Sequence, residues 1–530
     1  MPRRAYRLPE KGKDPDADLA YGRLTPDPWN PPMKTLIRNA RVLTFDAEDR
    51  EYPRADLLID GQRIAAIGPG PLPGAEAATV IEAAGKLAMP GLINGHFHSQ
   101  ASFLAGALAN RPLELFMLFE VPPAGTAKPD ARLTYLQTML GAIEMLKGGV
   151  TAVHDDAFHN PSPTQDSISA LMRAYADSGL RATVAINHQN LIEYDKLPYL
   201  GELLPADVRA EMERAPRNST AEMADLYRWF HATWHGAEHG RVRVALSNSA
   251  PQRVSEDYFA FLSAFSREHD LPFNIHLLET KTQRVLGQTR WGKSLVRHVH
   301  DLGFLDERVM AIHAIWVDDD DIALLAQAGC VVAHNPICNL KLGSGIMPFR
   351  KLRDAGVPIA LGSDEKAADD STDMWAVTKM ASLIHRIADP DYATWPQPRE
   401  VLDCLLRGGA RGMRHGEIGS LETGKQADLI LLDLDHPAFT PLNDIRNQLV
   451  YCASGGAVTM TMVAGRVVAD GGRILSVDEA AIRGEIRERT AALHHGLAET
   501  AQAAERLEPY YREMYRRAAA TDVGFTRWLR

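Results

Sequence analysis

Eight short apolar runs recur along the middle of the chain, separated by segments of helical period. The first ends near His96, and the others cover 150–153, 182–186, 242–246, 273–277, 309–313, 331–334 and 359–361. Runs that lack polar alternation imply strands covered on both faces, as in a parallel sheet. Helical periodicity over 133–146, 167–178, 221–235, 257–268 and 374–387 supplies the crossovers that parallel strands need. Eight such units predict an α/β fold, a (β/α)8 TIM-like barrel, with its chemistry at the C-terminal ends of the strands.

The residues at those ends have a common chemistry. They read Gly95-His96-Phe97-His98, Asn274-Ile275-His276-Leu277-Leu278-Glu279, Ala311-Ile312-His313-Ala314, Ala333-His334-Asn335-Pro336 and Leu361-Gly362-Ser363-Asp364. With 19 histidines in 530 residues, roughly one His-x-His arises by chance. Two are present. His298 and His300 lie in a polar stretch of helical character, where i and i+2 point to different faces. His96 and His98 follow Met89-Pro90-Gly91-Leu92-Ile93-Asn94, where Pro-Gly punctuates the chain and an apolar pair opens a strand. On a strand, i and i+2 share a face, so both imidazoles converge on one point. Taken alone, the pair also fits two satisfied surface histidines.

The flanks differ from this central pattern. Residues 1–33 are Pro-rich and charged without hydrophobic period, an arm lying on the surface or on a neighbouring subunit. Short strands follow over 36–44, 55–60, 63–67 and 79–81, and strand patterns return over 427–433 and 458–468. The economical reading is one small β-sandwich domain built from 34–90 and 413–475 around a barrel of 91–412. Beyond it, 476–530 form a helical tail, with the helical pattern over 478–517.

Net charge is -10 and no long Lys/Arg run occurs, so nothing favours nucleic acid or an anionic membrane as partner. A small-molecule substrate is expected, and a homo-oligomer stays open. The four cysteines, Cys330, Cys338, Cys404 and Cys452, form no C-x-x-C pair and read as reduced thiols. No apolar stretch approaches a membrane span and the start lacks a signal core, so a cytoplasmic location is the expectation.

The ordered set of fragments resembles the amidohydrolase superfamily, in the branch with cytosine, guanine and S-adenosylhomocysteine deaminases and the triazine hydrolases. The resemblance spans roughly residues 35 to 475. It rests on the Met89 to His98 segment, His276-Leu277-Leu278-Glu279-Thr280, His334-Asn335-Pro336 with Asn339-Leu340-Lys341-Leu342-Gly343-Ser344-Gly345, Gly362-Ser363-Asp364 and Gly424-Lys425-Gln426-Ala427-Asp428-Leu429. It implies that His96, His98, His276 and Asp364 bind one divalent metal, zinc, with Fe2+ as the alternative. Neutral imidazoles and a carboxylate suit zinc, and water at an open position would have its pKa lowered toward neutrality. The resemblance further implies that Asp364 accepts the water's proton, Glu279 shuttles it to the substrate, and His313 hydrogen-bonds the reacting centre. In the superfamily a second metal is usually bridged by a carboxylated lysine at the end of the fourth strand; residues 241–254 contain no lysine, so the resemblance implies one ion.

Two segments depart from the family pattern. Pro122-Pro123-Ala124-Gly125 replaces the loop where purine-nucleoside deaminases carry a recognition glutamate, and Glu365-Lys366 puts two charges directly after Asp364. Glu365 and Lys366 contact substrate, or pair with each other or with solvent. His188, Gln252, Arg253 and Glu365 are the candidate substrate contacts, since selectivity on this fold is built at strand ends. The resulting expectation is a metal-dependent aminohydrolase or amidohydrolase in which activated water attacks a small nitrogen heterocycle with release of ammonia or an amine. Hydrolysis of an amide, carbamate or carbon-halogen bond is the alternative, and a non-catalytic scaffold would be expected to have lost ligands that this chain keeps.

Overall fold

The computed structural model of the protein describes residues 34–108, 110–121, 130–159 and 162–529. The predicted arm over 1–33 and the Pro122 to Gly125 segment lie outside the described residues. All eight apolar runs are strands, and every one is parallel to its neighbours. One five-stranded sheet runs Asp364–Glu365, Leu92–His98, Val150–Phe158, Arg181–Asn187, Val242–Val244. The other runs Leu246–Ser247, Phe273–His276, Val309–Ile312, Val331–His334, Ile359–Leu361. The run predicted over 242–246 is divided at Ala245, whose N–H donates to the Val184 carbonyl at 2.7 Å, so the sheets follow one another across a single residue. At the opposite edges, only Gly362 and Ser363 separate Ile359–Leu361 from Asp364–Glu365.

The predicted helices are present as Ala131–Lys147, Gln165–Ser178, Thr220–Trp234, Glu256–His269 and Met374–Leu383, with bounds that differ by one or two residues except in the last, predicted over 374–387, which ends at Leu383 and passes into a 3-10 turn over Ile384–Arg386. Their starts have chemical causes. Thr164 and Ser219 each close a capping box, satisfying N–H groups that the first turn leaves without partners. His298 and His300 fall in the helix Leu295–Asp301, away from the histidines of the strand ends.

The strands at the two ends of the chain do meet. Lys86–Pro90 pairs antiparallel with Leu429–Asp433, joining the N-terminal and C-terminal segments into one nine-stranded sheet. Period-2 alternation lets these two strands serve two cores. Ala88, Leu429 and Leu431 face a small core with Ile37, Val42, Leu57, Met460 and Met462. Leu87, Met89, Ile430 and Leu432 face the large core packed around the parallel strands. The run predicted as one strand over 458–468 is instead a hairpin, Val458–Val463 and Arg466–Asp470. Ala464 and Gly465 between them both have positive φ, the turn whose twist matches paired strands. A Cβ on Gly465 would lie 2.0 Å from the Gly61 carbonyl oxygen, so only glycine fits there.

The predicted tail is the 42-residue helix Glu479–Ala520. Ala504, Leu507, Tyr511 and Met514 on its inner side pack with Leu115, Leu118 and Phe119 of the helix Leu113–Glu120, and with Leu200, Leu204, Val208 and Met212. The last residues then turn back, with Arg527 donating to the Ile315 carbonyl at 2.9 Å and Trp528 to that of Gly343 at 2.9 Å. Among the described residues no helix is long and apolar enough to cross a membrane, and the four cysteines are free.

One ion pair ties the large core to the outer sheet. Arg181, at the start of its strand, donates to both Asp428 oxygens at 2.6 and 3.0 Å and to Gln426 Oε1 at 3.1 Å, while Asp428 also accepts from Ala464 N at 2.7 Å. Both side chains are almost wholly buried. Removing one partner leaves the other charge uncompensated in a low dielectric. Asp428→Ala is therefore expected to lose about 3–5 kcal/mol of stability, read as a lower urea midpoint, and a loss of less than about 1 kcal/mol would refute a structural role for the pair.

Candidate metal centre and active site

The strand ends deliver six polar side chains to one buried place. His96 and His98 share a face of Leu92–His98, His276 ends its strand, and His313 directly follows Val309–Ile312. Asp364 lies beside this first strand, in register with Phe97, and Glu365 is in register with His98. His313 and Asp364 hold left-handed backbone, φ 73° and 63°. Such a conformation costs on the order of 1–3 kcal/mol for a non-glycine residue and persists only where the surroundings impose it.

The approach of the strands depends on small residues. Asn94 and Ser363 hydrogen-bond reciprocally, Nδ2 to Oγ at 2.8 Å and Ser363 N to Oδ1 at 3.0 Å, fixing the segment that carries Asp364. A Cβ on Gly362 would come within 2.8 Å of His96 N and 2.5 Å of Asn335 Oδ1.

Ring centroids of His96 lie 4.7 Å from those of His98 and 5.1 Å from those of His276. The Nε2 atoms of His96 and His98 lie 3.4 and 3.3 Å from Asp364 Oδ1. His98 Nδ1 donates to the Asp156 carbonyl at 2.5 Å and His276 Nδ1 to the Ser249 carbonyl at 2.7 Å. Those bonds orient the rings and leave Nε2 of each free to act as a ligand. His313 Nε2 is 3.4 Å from Glu279 Oε2 and 3.6 Å from Asp364 Oδ2, and its Nδ1 bonds Asn339 Oδ1 at 2.9 Å.

Burial sets the electrostatics. It lowers the His96 imidazole to about 4 and pushes His276 well down, helped by the neighbouring imidazoles. Burial also opposes charge on Asp364, yet the His96 and His98 rings beside it hold its carboxyl well below the usual range. His98 goes the other way. Burial works against its proton, but Asp364, Asp156 and Glu365 raise it to about 10, which marks a point where positive charge is favoured. Glu279 is pushed up to about 7, chiefly by burial, with the Asp364 charge adding to it and His313 opposing it.

A metal ion fits these residues. Both ring nitrogens of His96 are buried without a hydrogen-bond partner among the described residues, a costly state unless they bind something. Ligand atoms of His96, His98 and Asp364 lie within 4.8 Å of one another, as do those of His96, His276 and His313, and of His98, Asp156 and His276. Three or four nitrogen and oxygen donors of this kind suit zinc.

The cluster opens into a cavity of about 270 Å³. Of the predicted substrate contacts, His188, Arg253 and Glu365 line it, together with Glu279, His313 and Asp364. Gln252 does not: it is buried in the turn Pro251–Arg253 and is not among the lining residues. Lys366 pairs neither with Glu365 nor with solvent, because its ammonium reaches Glu144. Sequence reasoning missed Asp156, whose carbonyl orients His98; the polar end of its run, His154-Asp155-Asp156, was the available clue. It also missed Glu120, the last residue of an apolar helix, which lines the cavity beside Glu365.

The pattern of the amidohydrolase family matches residues 87–468. The chain is similar to the 5'-deoxyadenosine deaminase of Methanosarcina acetivorans, 31% identical over 452 residues covering 85% of this chain and 96% of that one. It is also 31% identical over 463 residues to the 5-methylthioadenosine/S-adenosylhomocysteine deaminase of Symbiobacterium thermophilum, covering 87% and 99%. Among solved structures it resembles a mutant of the atrazine chlorohydrolase of Arthrobacter aurescens TC1 complexed with zinc and atraton, with TM-score 0.77, 25% identity and coverage of 85% and 98%. The chain belongs to the amidohydrolase family. At its strand ends it carries the donor set of a metal-dependent hydrolase.

Gly362→Ala tests the packing that positions His96. The added methyl group has no room without moving the His96 backbone, and disturbing the support of a metal donor typically weakens metal binding about 10- to 100-fold. Zinc affinity by competition with a chelating dye should fall accordingly while circular dichroism stays native; unchanged affinity would show that this contact is not what aims the ring.

Proposed function

We propose that the protein is a zinc-dependent aminohydrolase that releases ammonia from a small nitrogen heterocycle. The observation that carries this reading is the facing of Glu279 and His313 toward the same cavity as His98, His276 and Asp364. Similarity to two deaminases of adenosine analogues supports it. In the same reading the two parallel sheets are one closed (β/α)8 barrel over 91–412. The segments 34–90 and 413–475 form the β-sandwich, and 476–530 the helical tail.

His96, His98, His276 and Asp364 would hold the ion. Zinc in such a site lowers the pKa of water and polarises the group under attack. Asp364 Oδ2, which accepts from Asn335 Nδ2 at 3.3 Å, takes up the proton of the attacking water. Glu279 is suited to carry a proton onward, because its burial-raised carboxyl near 7 can hold and release one close to neutrality. It delivers that proton to a ring nitrogen or to the departing amine. His313, with Nδ1 fixed by Asn339, presents Nε2 between Glu279 and Asp364 and hydrogen-bonds the oxygen that becomes the product carbonyl. His188 and Arg253 line the same cavity and contact the part of the substrate that does not react.

The structural likeness to a chlorohydrolase favours a second reading, displacement of halide from a similar ring. Product analysis separates the two. With a panel of amino- and chloro-substituted heterocycles and zinc-loaded enzyme, ammonia is the expected product; chloride without ammonia would establish the second reading, and neither product would overturn both. On the accepted substrate, Glu279→Gln should lower kcat by about 10²- to 10⁴-fold while the zinc content stays at the wild-type level. Full activity in that variant would remove Glu279 from the proton path.

A further inference from the structure

The reaction described above leaves two cavity carboxyl groups without a task. Glu365 is 8% exposed and stands in register with His98, next to the centre. Glu120 reaches the same cavity from the end of the helix Leu113–Glu120. The two carboxyl groups hydrogen-bond each other, and Glu120 Oε1 is buried with no partner.

What surrounds them is unusual for buried acids. Among the described residues no lysine or arginine pairs with either, and the positive group beside them is the His98 ring in register with Glu365. Lys366, the next residue, is drawn off to Glu144. Lys341 is held by the Ala367 carbonyl at 2.8 Å and Asp370 at 2.6 Å. Arg253 donates to Ser249 Oγ at 3.1 Å and Met117 Sδ at 3.1 Å. Two carboxyl groups that have only each other and an imidazole for partners are costly to bury, so such a pair persists where a ligand completes it. Among the described residues neither glutamate belongs to a group with metal-donor spacing. The neighbouring wall is apolar, with Leu113, Met117, Val121 and Phe158, and accommodates a flat ring whose polar edge turns toward the acids.

We propose that Glu120 and Glu365 form a specificity site for N–H donors, so that the substrate is a heterocycle carrying amino or amidine-type N–H groups on the edge it presents to them. This deepens the deaminase reading and rests on it for the reaction. Carboxylates accept such donors in short, charge-assisted bonds, about twice as strong as neutral ones. A ring with carbonyl oxygens on that edge meets the same two groups with acceptor against acceptor.

The test uses zinc-loaded, full-length Glu279→Gln protein, which binds without turnover, and calorimetric titration with 2,4-diaminopyrimidine and with uracil. These probes have one ring frame and opposite donor character. The diamine should bind at least about tenfold more tightly than uracil. Adding Glu120→Gln and Glu365→Gln together should reduce that preference about tenfold or more, with each single change intermediate, while zinc content and circular dichroism report that the fold is intact. Equal binding of the two probes by the parent overturns the proposal whatever the variants do. A preference that is undiminished in Glu120→Gln or in the double variant also overturns it, since the ring nitrogens would then be binding elsewhere, such as at zinc. If the preference is present and carboxylate-dependent but no heterocycle releases ammonia, the reaction assignment fails and the recognition site stands. Ammonia release without any preference gives the reverse.

Discussion

Parallel strands end on the same side, and this geometric fact gathers the site. Six polar side chains from sequence positions as far apart as His96 and Asp364 meet because each terminates or follows a strand of common direction. Their burial would be prohibitive one by one. Asp364 removes most of that cost by standing among imidazoles, so that its charge is compensated and the charge-favouring point at His98 is created in the same step. The left-handed backbone at His313 and Asp364 is the strain the fold accepts to aim them inward.

The framework that supports this geometry is continuous with the rest of the molecule. Lys86–Pro90 and Leu429–Asp433 each present alternate residues to two cores, so the outer sheet and the parallel strands cannot separate without opening both. Arg181 and Asp428 add a directional tie at the same junction. The first strand of the site, Leu92–His98, begins two residues beyond Pro90, which pairs with Leu429.

Much of this is legible in the sequence. Short, unalternated apolar runs and helical periodicity identify the parallel strands and their crossovers, because residues buried on both faces leave a strong pattern. The histidines, Glu279 and Asp364 stood out for their places at run ends. Other features leave weaker traces. The turn at Ala464-Gly465 was hidden inside an apolar stretch, since Ala carries no turn signature and only the close Gly61 carbonyl reveals the need for glycine beside it. Gln252 and Arg253 are adjacent in sequence, yet only Arg253 lines the cavity, because a tight turn sends neighbours in different directions. Glu120 is placed by a helix whose orientation depends on tertiary packing, and no local spacing encodes that.

The long helix Glu479–Ala520 gives that packing a further meaning. Its Tyr511 hydroxyl donates to Glu193, a cavity-lining residue, at 3.2 Å, and its apolar side braces Met212 and the helix that ends in Glu120. One wall of the pocket thus leans on the far end of the chain, while the clustered histidines and Asp364 sit at strand ends the helix does not supply. Cavity shape and the histidine cluster are therefore mechanically separable here: substitutions along one face of the C-terminal helix can reshape what enters without disturbing the side chains gathered at the strand ends.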